Sequence, residues 1–237
     1  MASPRAAYDA WHGCHEVDRK ADTPWHDLLF AHLDTQRDLT GRRVLEIACG
    51  RGGLACRLAS DSHRPRQLVA ADFSTTAVAM GRAYAQQIGA NGVRWSVSDL
   101  HAFPIQNEVF DTVISCESIE HLHRPRVACR EFARVLKPGG RLYLTTPNYL
   151  GPIGLYRAYA RAIGRPYTEG GQPINRFMLL PKTCFWLRRA GFRIVAVDGI
   201  GHYLPWPGRP WERLHAFDGV ASLRWFALHS IVVAEKP

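Results

Sequence analysis

Val44-Leu45-Glu46-Ile47-Ala48-Cys49-Gly50-Arg51-Gly52-Gly53-Leu54-Ala55 is the stretch on which the fold turns. Arg43–Ile47 is a short apolar run that ends at a glycine-rich turn, the pattern of a buried strand. From Gly52 to Ala59 the chain reads as a helix, with Leu54 and Leu58 four apart on one face. Strand, tight turn and helix are the opening of a βαβ unit, and the same alternation continues downstream. Residues 67–71 form a second buried strand, and Ser74 is placed to cap a helix over 75–88. Strands follow at 93–97 and 109–115, then a helix from Pro125 to Leu136. Lys137-Pro138-Gly139-Gly140 is a stop and turn before a fifth strand at 141–145. A helix at 181–190, a sixth strand at 192–197 and a last strand at 226–234 complete the chain. The expected fold class is α/β: a largely parallel sheet with helices on both faces. Ligands of such sheets bind at the carboxyl ends of the strands.

The first turn admits a ligand close to the backbone because Gly50 and Gly52 lack side chains. Gly50-Arg51-Gly52-Gly53-Leu54-Ala55 fits G-x-G-x-x-A, and Asp72 ends the second strand where a carboxylate can accept from ribose hydroxyls. Nicotinamide and adenosyl cofactors satisfy this pair equally. Three further features extend it. Glu46 is a carboxylate inside the first strand, where burial demands donors. Ser98-Asp99-Leu100 ends the third strand with an acceptor. Cys116-Glu117-Ser118-Ile119-Glu120-His121-Leu122 follows the fourth. A pyrophosphate favours an uncluttered helix N-terminus, whereas a sulfonium with an amino-acid tail asks for carboxylates and carbonyls.

At these residues the chain resembles the class I S-adenosylmethionine (SAM)-dependent methyltransferases. VLEIACGRGGLA (44–55), AADFS (70–74), SDLH (98–101), FDTVISCESIEHL (110–122) and RVLKPGGRLYLTTPN (134–148) are similar to the family's successive motifs, in order. Ala48 stands where the family has its first glycine. CESIEHL and TTPN resemble most the branch that includes ubiquinone- and menaquinone-biosynthesis and natural-product methyltransferases. The resemblance implies a Rossmann-like three-layer sandwich on a mostly parallel seven-stranded sheet with an antiparallel last strand, and SAM as cofactor, with S-adenosylhomocysteine as product and no metal. It implies Glu46 and the backbone of Ala48, Cys49 and Gly50 at the methionine end, and Asp72 on the ribose. Phe73 would lie against the adenine, with Ser74 closing that motif. Asp99 would accept from the adenine amino group beside Leu100, and Cys116, Glu117 and His121 would line the methyl side.

Methyl transfer is an in-line displacement, and a base assists it when the acceptor is a hydroxyl. His121, after the fourth strand, is the first candidate base and His202 the second. The resemblance implies that residues 1–40 form a helical lid, with Tyr8, Trp11 and His12 facing substrate. An insertion at 149–181 offers Tyr149 and Arg176 to the acceptor, and the aromatic run His202-Tyr203-Leu204-Pro205-Trp206-Pro207 offers Tyr203 as part of a flat wall. Arg157, Arg161 and Arg165 recur every four residues, and Ile153, Tyr156, Ala160 and Ile163 form a modest apolar face. Tyr167 and Phe177 add aromatic character to the same insertion.

With 237 residues, 46% hydrophobic and 22% charged, the chain reads as one globular domain rather than a disordered or fibrous one. Its longest apolar stretch, 225–234, is too short to span a bilayer. The N-terminus lacks a secretory core, and six scattered cysteines show no C-x-x-C pair, so a reduced, cytoplasmic protein is expected. Residues 149–213 hold ten Lys/Arg against Glu169, Asp198 and Glu212, and carry most of the +9 net charge. A solvated face, an anionic substrate or a lipid surface each account for this, with nucleic acid not expected as partner. The acceptor expected is a small planar aromatic or heterocycle methylated at O or N. The alternatives are a sugar or lipid-linked quinone precursor at a membrane surface, or a non-catalytic binding protein. Membrane contact is at most peripheral, and the protein is a monomer or homodimer.

Overall fold

The computed structural model describes residues 3–165, 170–205 and 211–237, so Tyr167, Trp206 and Pro207 lie outside the described residues. Helices α1 (Pro4–Gly13), α2 (Pro24–His32) and α3 (Thr35–Asp38) precede β1 (Arg43–Ile47). There follow α4 (Gly53–Ala59), β2 (Gln67–Asp72), α5 (Thr75–Ile88), β3 (Val93–Val97), β4 (Phe110–Ser115), α6 (Pro125–Val135) and β5 (Leu136–Pro147). Then come α7 (Pro152–Ala162), α8 (Leu180–Arg189), β6 (Arg193–Ile200), a two-residue pair β7 (Tyr203–Leu204) and β8 (Glu212–Arg213), and β9 (His229–Glu235). Among the described residues seven strands form one sheet in the order β3-β2-β1-β4-β5-β9-β6, in which only β9 runs antiparallel to its neighbours.

Strand alternation sends neighbouring side chains to opposite faces. Leu45, Ile47, Val113, Leu142 and Leu144 pack with α6 and α8, through Phe132, Val135, Leu180 and Leu187. Val44, Leu68, Ala70, Ile114 and Tyr143 pack with α2 and α4, through Leu28, Leu29, Leu54 and Leu58. Burying one such leucine or phenylalanine contributes about 1.5–3 kcal/mol. Both faces covered by helices make the three-layer sandwich expected from the alternation.

Three local expectations are corrected. The paired length of β5 begins at Leu136 rather than Arg141: Leu136 pairs with Phe110 before the register jumps to Thr112–Arg141. Lys137–Gly140 bulge between them, held by Gly139 N–H on the Lys236 carbonyl at 2.7 Å. The last strand starts at His229, because Arg224–Phe226 form a short 3-10 turn. Of the N-terminal forty residues, α1 lies over the strand ends, whereas α2 packs flat on β9, β5 and β6 as part of the sandwich. No helix among the described residues is long and apolar enough to cross a membrane.

Candidate active site

The loops after β1, β2, β3 and β4 meet under α1 around a cavity of about 490 Å³. That volume falls in the range of small-molecule sites. Local sequence explains its floor. Gly52, at φ +74°, starts α4, and a Cβ there would run into the Trp95 ring. Gly50 has φ +52°, and Ala48, at φ +57°, occupies the same left-handed region with a side chain, which costs about 1–2 kcal/mol. Glu117, on the opposite wall, is a second non-glycine residue at positive φ. Strain of this kind concentrates at functional sites.

Asp72 ties the floor together. Its Oδ2 accepts from Gly50 N–H and its Oδ1 from Ser74 N–H, both at 2.9 Å. Burial raises its carboxyl, opposed by those backbone bonds. Glu46 is only 4% exposed, and its Oε2 has no hydrogen-bond partner. Burial, helped by the Asp72 charge, pushes this carboxyl up to about 8. Asp99 stays accessible on the far wall. Burial acts to raise its carboxyl, but His101, donating from its amide to Asp99 Oδ1 and holding its ring Nδ1 2.8 Å from the same oxygen, brings it below its usual value.

The roof is α1, anchored by Asp9. Its carboxylate accepts from Ser74 Oγ at 2.5 Å, from Thr76 N–H at 3.0 Å and from Thr75 Oγ1 at 3.1 Å, all at the start of α5. Tyr8 meets Phe73 edge to face at 5.2 Å, and Trp11 donates to the Gly170 carbonyl at 2.8 Å. His12 faces Arg51 at 3.1 Å, and burial followed by that positive neighbour lowers it to about 4.

His121 stands on the wall opposite the β1 turn. Its Nδ1 lies 2.5 Å from the Ile174 carbonyl, so Nδ1 carries the proton, and Nε2 lies 3.3 Å from Glu120 Oε1. Burial lowers His121 to about 4, which leaves Nε2 unprotonated at neutral pH. Glu120 is fully buried and accepts from Thr146 Oγ1 at 3.1 Å.

The cavity brings together Glu46, Ala48, Cys49, Gly50, Asp72, Phe73, Asp99, Leu100, Cys116, Glu117 and His121, with Tyr8, Trp11 and His12 above. Ser74 does not line it: its hydroxyl caps α5 and donates to Asp9. His202 lies apart, with Nδ1 on Asp218 at 3.1 Å and Nε2 on the Leu223 carbonyl at 3.0 Å, so both nitrogens serve local structure. Tyr149 is core, stacked against Phe177 at 5.0 Å beneath Arg157. Tyr203 packs beside His229 instead of facing the cavity. Arg176 stands behind the wall, its guanidinium donating to the Leu122 and His123 carbonyls at 2.6 and 2.7 Å, where it braces the His121 turn. Of the arginine stripe, Arg157 turns inward onto Tyr149, while Arg161 and Arg165 are exposed.

Sequence reasoning missed Asp18, Trp25, His26, Arg51 and Gln172, which also border the cavity. Trp25-His26, an aromatic pair at the start of α2, was visible as a pattern. Its partners, Thr23 and His229, are set only by the fold.

Comparison with known proteins adds to this geometry. A methyltransferase-domain family matches residues 45–144. The chain is 34% identical over 182 residues to a ubiquinone biosynthesis O-methyltransferase of Xanthomonas euvesicatoria, covering 75% of this chain and 73% of that protein. It is 25% identical over 175 residues to the protein of that name from Coxiella burnetii, covering 73% of each. A solved S-adenosylmethionine-dependent methyltransferase from Mesorhizobium loti superposes with a TM-score of 0.65 at 21% identity, over 91% of this chain and 99% of that one.

Proposed function

Because the chain belongs to the class I SAM-dependent methyltransferases, we propose that it methylates an oxygen of a small planar aromatic acceptor held between α1 and His121. The whole chain then works as one methyltransferase domain, with α1 as its lid. Bound SAM supplies a methyl carbon made electrophilic by its sulfonium. The donor set fits such a group: the buried Glu46 carboxyl, with one oxygen unpartnered, lacks a cation, and a ligand ammonium or sulfonium provides one. In this reading Glu46 and the turn at 48–50 hold the amino-acid end. Asp72, with lone pairs beyond its two backbone bonds, takes the ribose, Phe73 flanks the adenine and Asp99 meets its amino group. Cys116 and Glu117 border the methyl side.

The observation that carries the acceptor assignment is the state of His121. A ring whose Nδ1–H is spent on Ile174 keeps an unprotonated Nε2, which is buried beside Glu120 Oε1, so a bound acceptor has to open that contact to reach it. That nitrogen takes the proton of a phenol as its oxygen attacks the methyl carbon, and the imidazolium so formed lies 3.3 Å from Glu120 Oε1. Tyr8 and Trp11 supply a flat apolar roof and exclude water. The name of the relatives above, which act in ubiquinone biosynthesis, agrees with a phenolic oxygen.

The test is turnover of SAM with a panel of catechols and phenols. His121→Gln is expected to lower kcat about 10²–10³-fold while S-adenosylhomocysteine affinity changes less than a few-fold. Equal kcat in variant and parent removes the base assignment. A second reading, a quinol precursor with a prenyl tail, is favoured by the exposed apolar edge of α7, where Leu155 is 76%, Tyr159 58% and Ile163 49% exposed. A kcat/KM that rises steeply with prenyl length, by comparison with the tail-free phenol, selects it.

A further inference from the structure

Beside the methyl-transfer cavity is a second one of about 650 Å³ that six cationic side chains border. Arg124, Arg126 and Arg130 border it from the N-terminal half of α6 and its cap, Arg161 from α7, Arg176 from the brace behind His121, and Lys182 from α8. Among the described residues no aspartate or glutamate lines it, and Arg126, Arg130, Arg161 and Lys182 make no ion pair with a carboxylate. Like charges gathered without counter-charge repel one another and focus a positive potential into the concavity between them.

Two features make this more than a basic face. Lys182 and Arg126 stand over the buried Trp186 ring, at 5.1 and 6.0 Å from its centre, so their side chains are held at the cavity rather than free in solvent. Asn175 lines the same cavity, and its Oδ1 and Nδ2 are both buried without a hydrogen-bond partner. A buried amide left unpaired is costly unless a ligand satisfies it. The cavity also borders the first turn of α6, where Arg124 is the cap with no side-chain bond to the helix.

We propose that this cavity binds the diphosphate group of a ligand. Arginine forks match phosphate oxygens in pairs, and Asn175 Nδ2 donates one further bond. Six cations exceed what one phosphate of about −2 charge requires, so two linked phosphates complement the site better. His123 borders both cavities, so the anion lies beside the wall that carries His121. The diphosphate can come from a soluble ester or from a lipid that itself carries a diphosphate, such as a prenyl diphosphate in a membrane. This proposal does not depend on methyl transfer, because binding is read without turnover.

The experiment is calorimetric titration of the full chain with inorganic pyrophosphate, with and without S-adenosylhomocysteine. A parallel arm measures co-sedimentation with phosphatidylcholine vesicles with and without a prenyl diphosphate. Saturable pyrophosphate binding is expected, weakened about tenfold or more in Arg126→Gln, Lys182→Gln and Asn175→Ala. It should be unchanged in the double variant Arg188→Gln/Arg189→Gln, which removes two charges from α8 outside the cavity, more than any single test variant does. Retained S-adenosylhomocysteine binding in each variant shows that the fold survives. Pyrophosphate binding without vesicle binding supports a soluble ligand; vesicle binding that requires the prenyl diphosphate and is lost in the same variants supports the lipid as the source. Absence of both, or equal loss in the Arg188/Arg189 control, overturns the site. Failure of S-adenosylhomocysteine to bind the parent chain counts against the methyltransferase reading alone.

Discussion

Glu46 is the residue whose chemistry is most sensitive to the ligand. Buried at the end of β1 with one oxygen unpartnered, its carboxyl titrates near 8 and is mostly protonated at pH 7. A ligand cation beside it favours the carboxylate, so binding must release the proton. Between pH 8 and pH 6 the affinity for SAM is expected to fall by up to about tenfold per pH unit from this group. Calorimetry at pH 7 in two buffers of different ionisation enthalpy reads the release directly, and Glu46→Gln should abolish its share. An unchanged buffer dependence in that variant would mean that Glu46 does not meet the cation. His121 runs the other way: its lowered titration, near 4, keeps its base form present at every pH where most enzymes work. The role of Glu46 as a carboxylate in need of a partner was legible from its position in an apolar strand. What no sequence pattern states is that Ile174, fifty-three residues on, sets the tautomer of His121.

At the level of elements, α1, proposed above as the lid, is tied to α5 by one carboxylate. Asp9 joins it to the first turn of α5 through Ser74, Thr75 and Thr76, a carboxylate at a helix N-terminus. Asp9→Ala is expected to loosen the lid by about 1 kcal/mol once solvent screening of this partly exposed group is allowed for. Amide exchange over residues 4–13 should then quicken several-fold with α5 unchanged, and the acceptor KM should rise. Exchange rates equal to the parent's would show that Tyr8 and Trp11 alone hold the helix. The aromatic run Tyr8-Asp9-Ala10-Trp11-His12 pointed in the sequence to a segment over the site, but how much of the N-terminal forty residues covers the cavity was not legible. Residues 24–32 are also aromatic, with Trp25, His26 and Phe30, and only their packing on β9, β5 and β6 makes α2 part of the sandwich.

Across the whole molecule, the N-terminal segment is pinned to the sheet through one buried knot. Tyr143, at the centre of β5, donates to Asp38 Oδ2 at 2.6 Å, and Thr112 Oγ1 of β4 donates to the Asp38 carbonyl at 2.7 Å. Asp38 is 4% exposed, with Arg141 3.5 Å from the same carboxylate. Tyr143→Phe leaves that oxygen without its hydroxyl donor and is expected to cost about 2 kcal/mol, lowering Tm by roughly 4–8 °C for a chain of this size. A Tm within 1 °C of the parent's would assign the anchoring to Arg141 and Arg37 instead. The sequence by itself determined the alternation of strands and helices, the glycine turn after β1 and the acidic residues at strand ends. These rest on local periodicity and on spacing along one chain, which need no partner to be read. Tertiary structure alone decided which of the later aromatic and basic residues face a cavity. His202, Tyr149 and Tyr203 were consumed by local bonds and core packing, and Arg176 turned to brace a backbone. Arg124, Arg126, Arg161 and Lys182, scattered over nearly sixty residues, converge only because α6, α7 and α8 come together at one edge of the sandwich. Contacts between residues distant in sequence depend on how helices pack, and that is settled by the complementarity of whole surfaces.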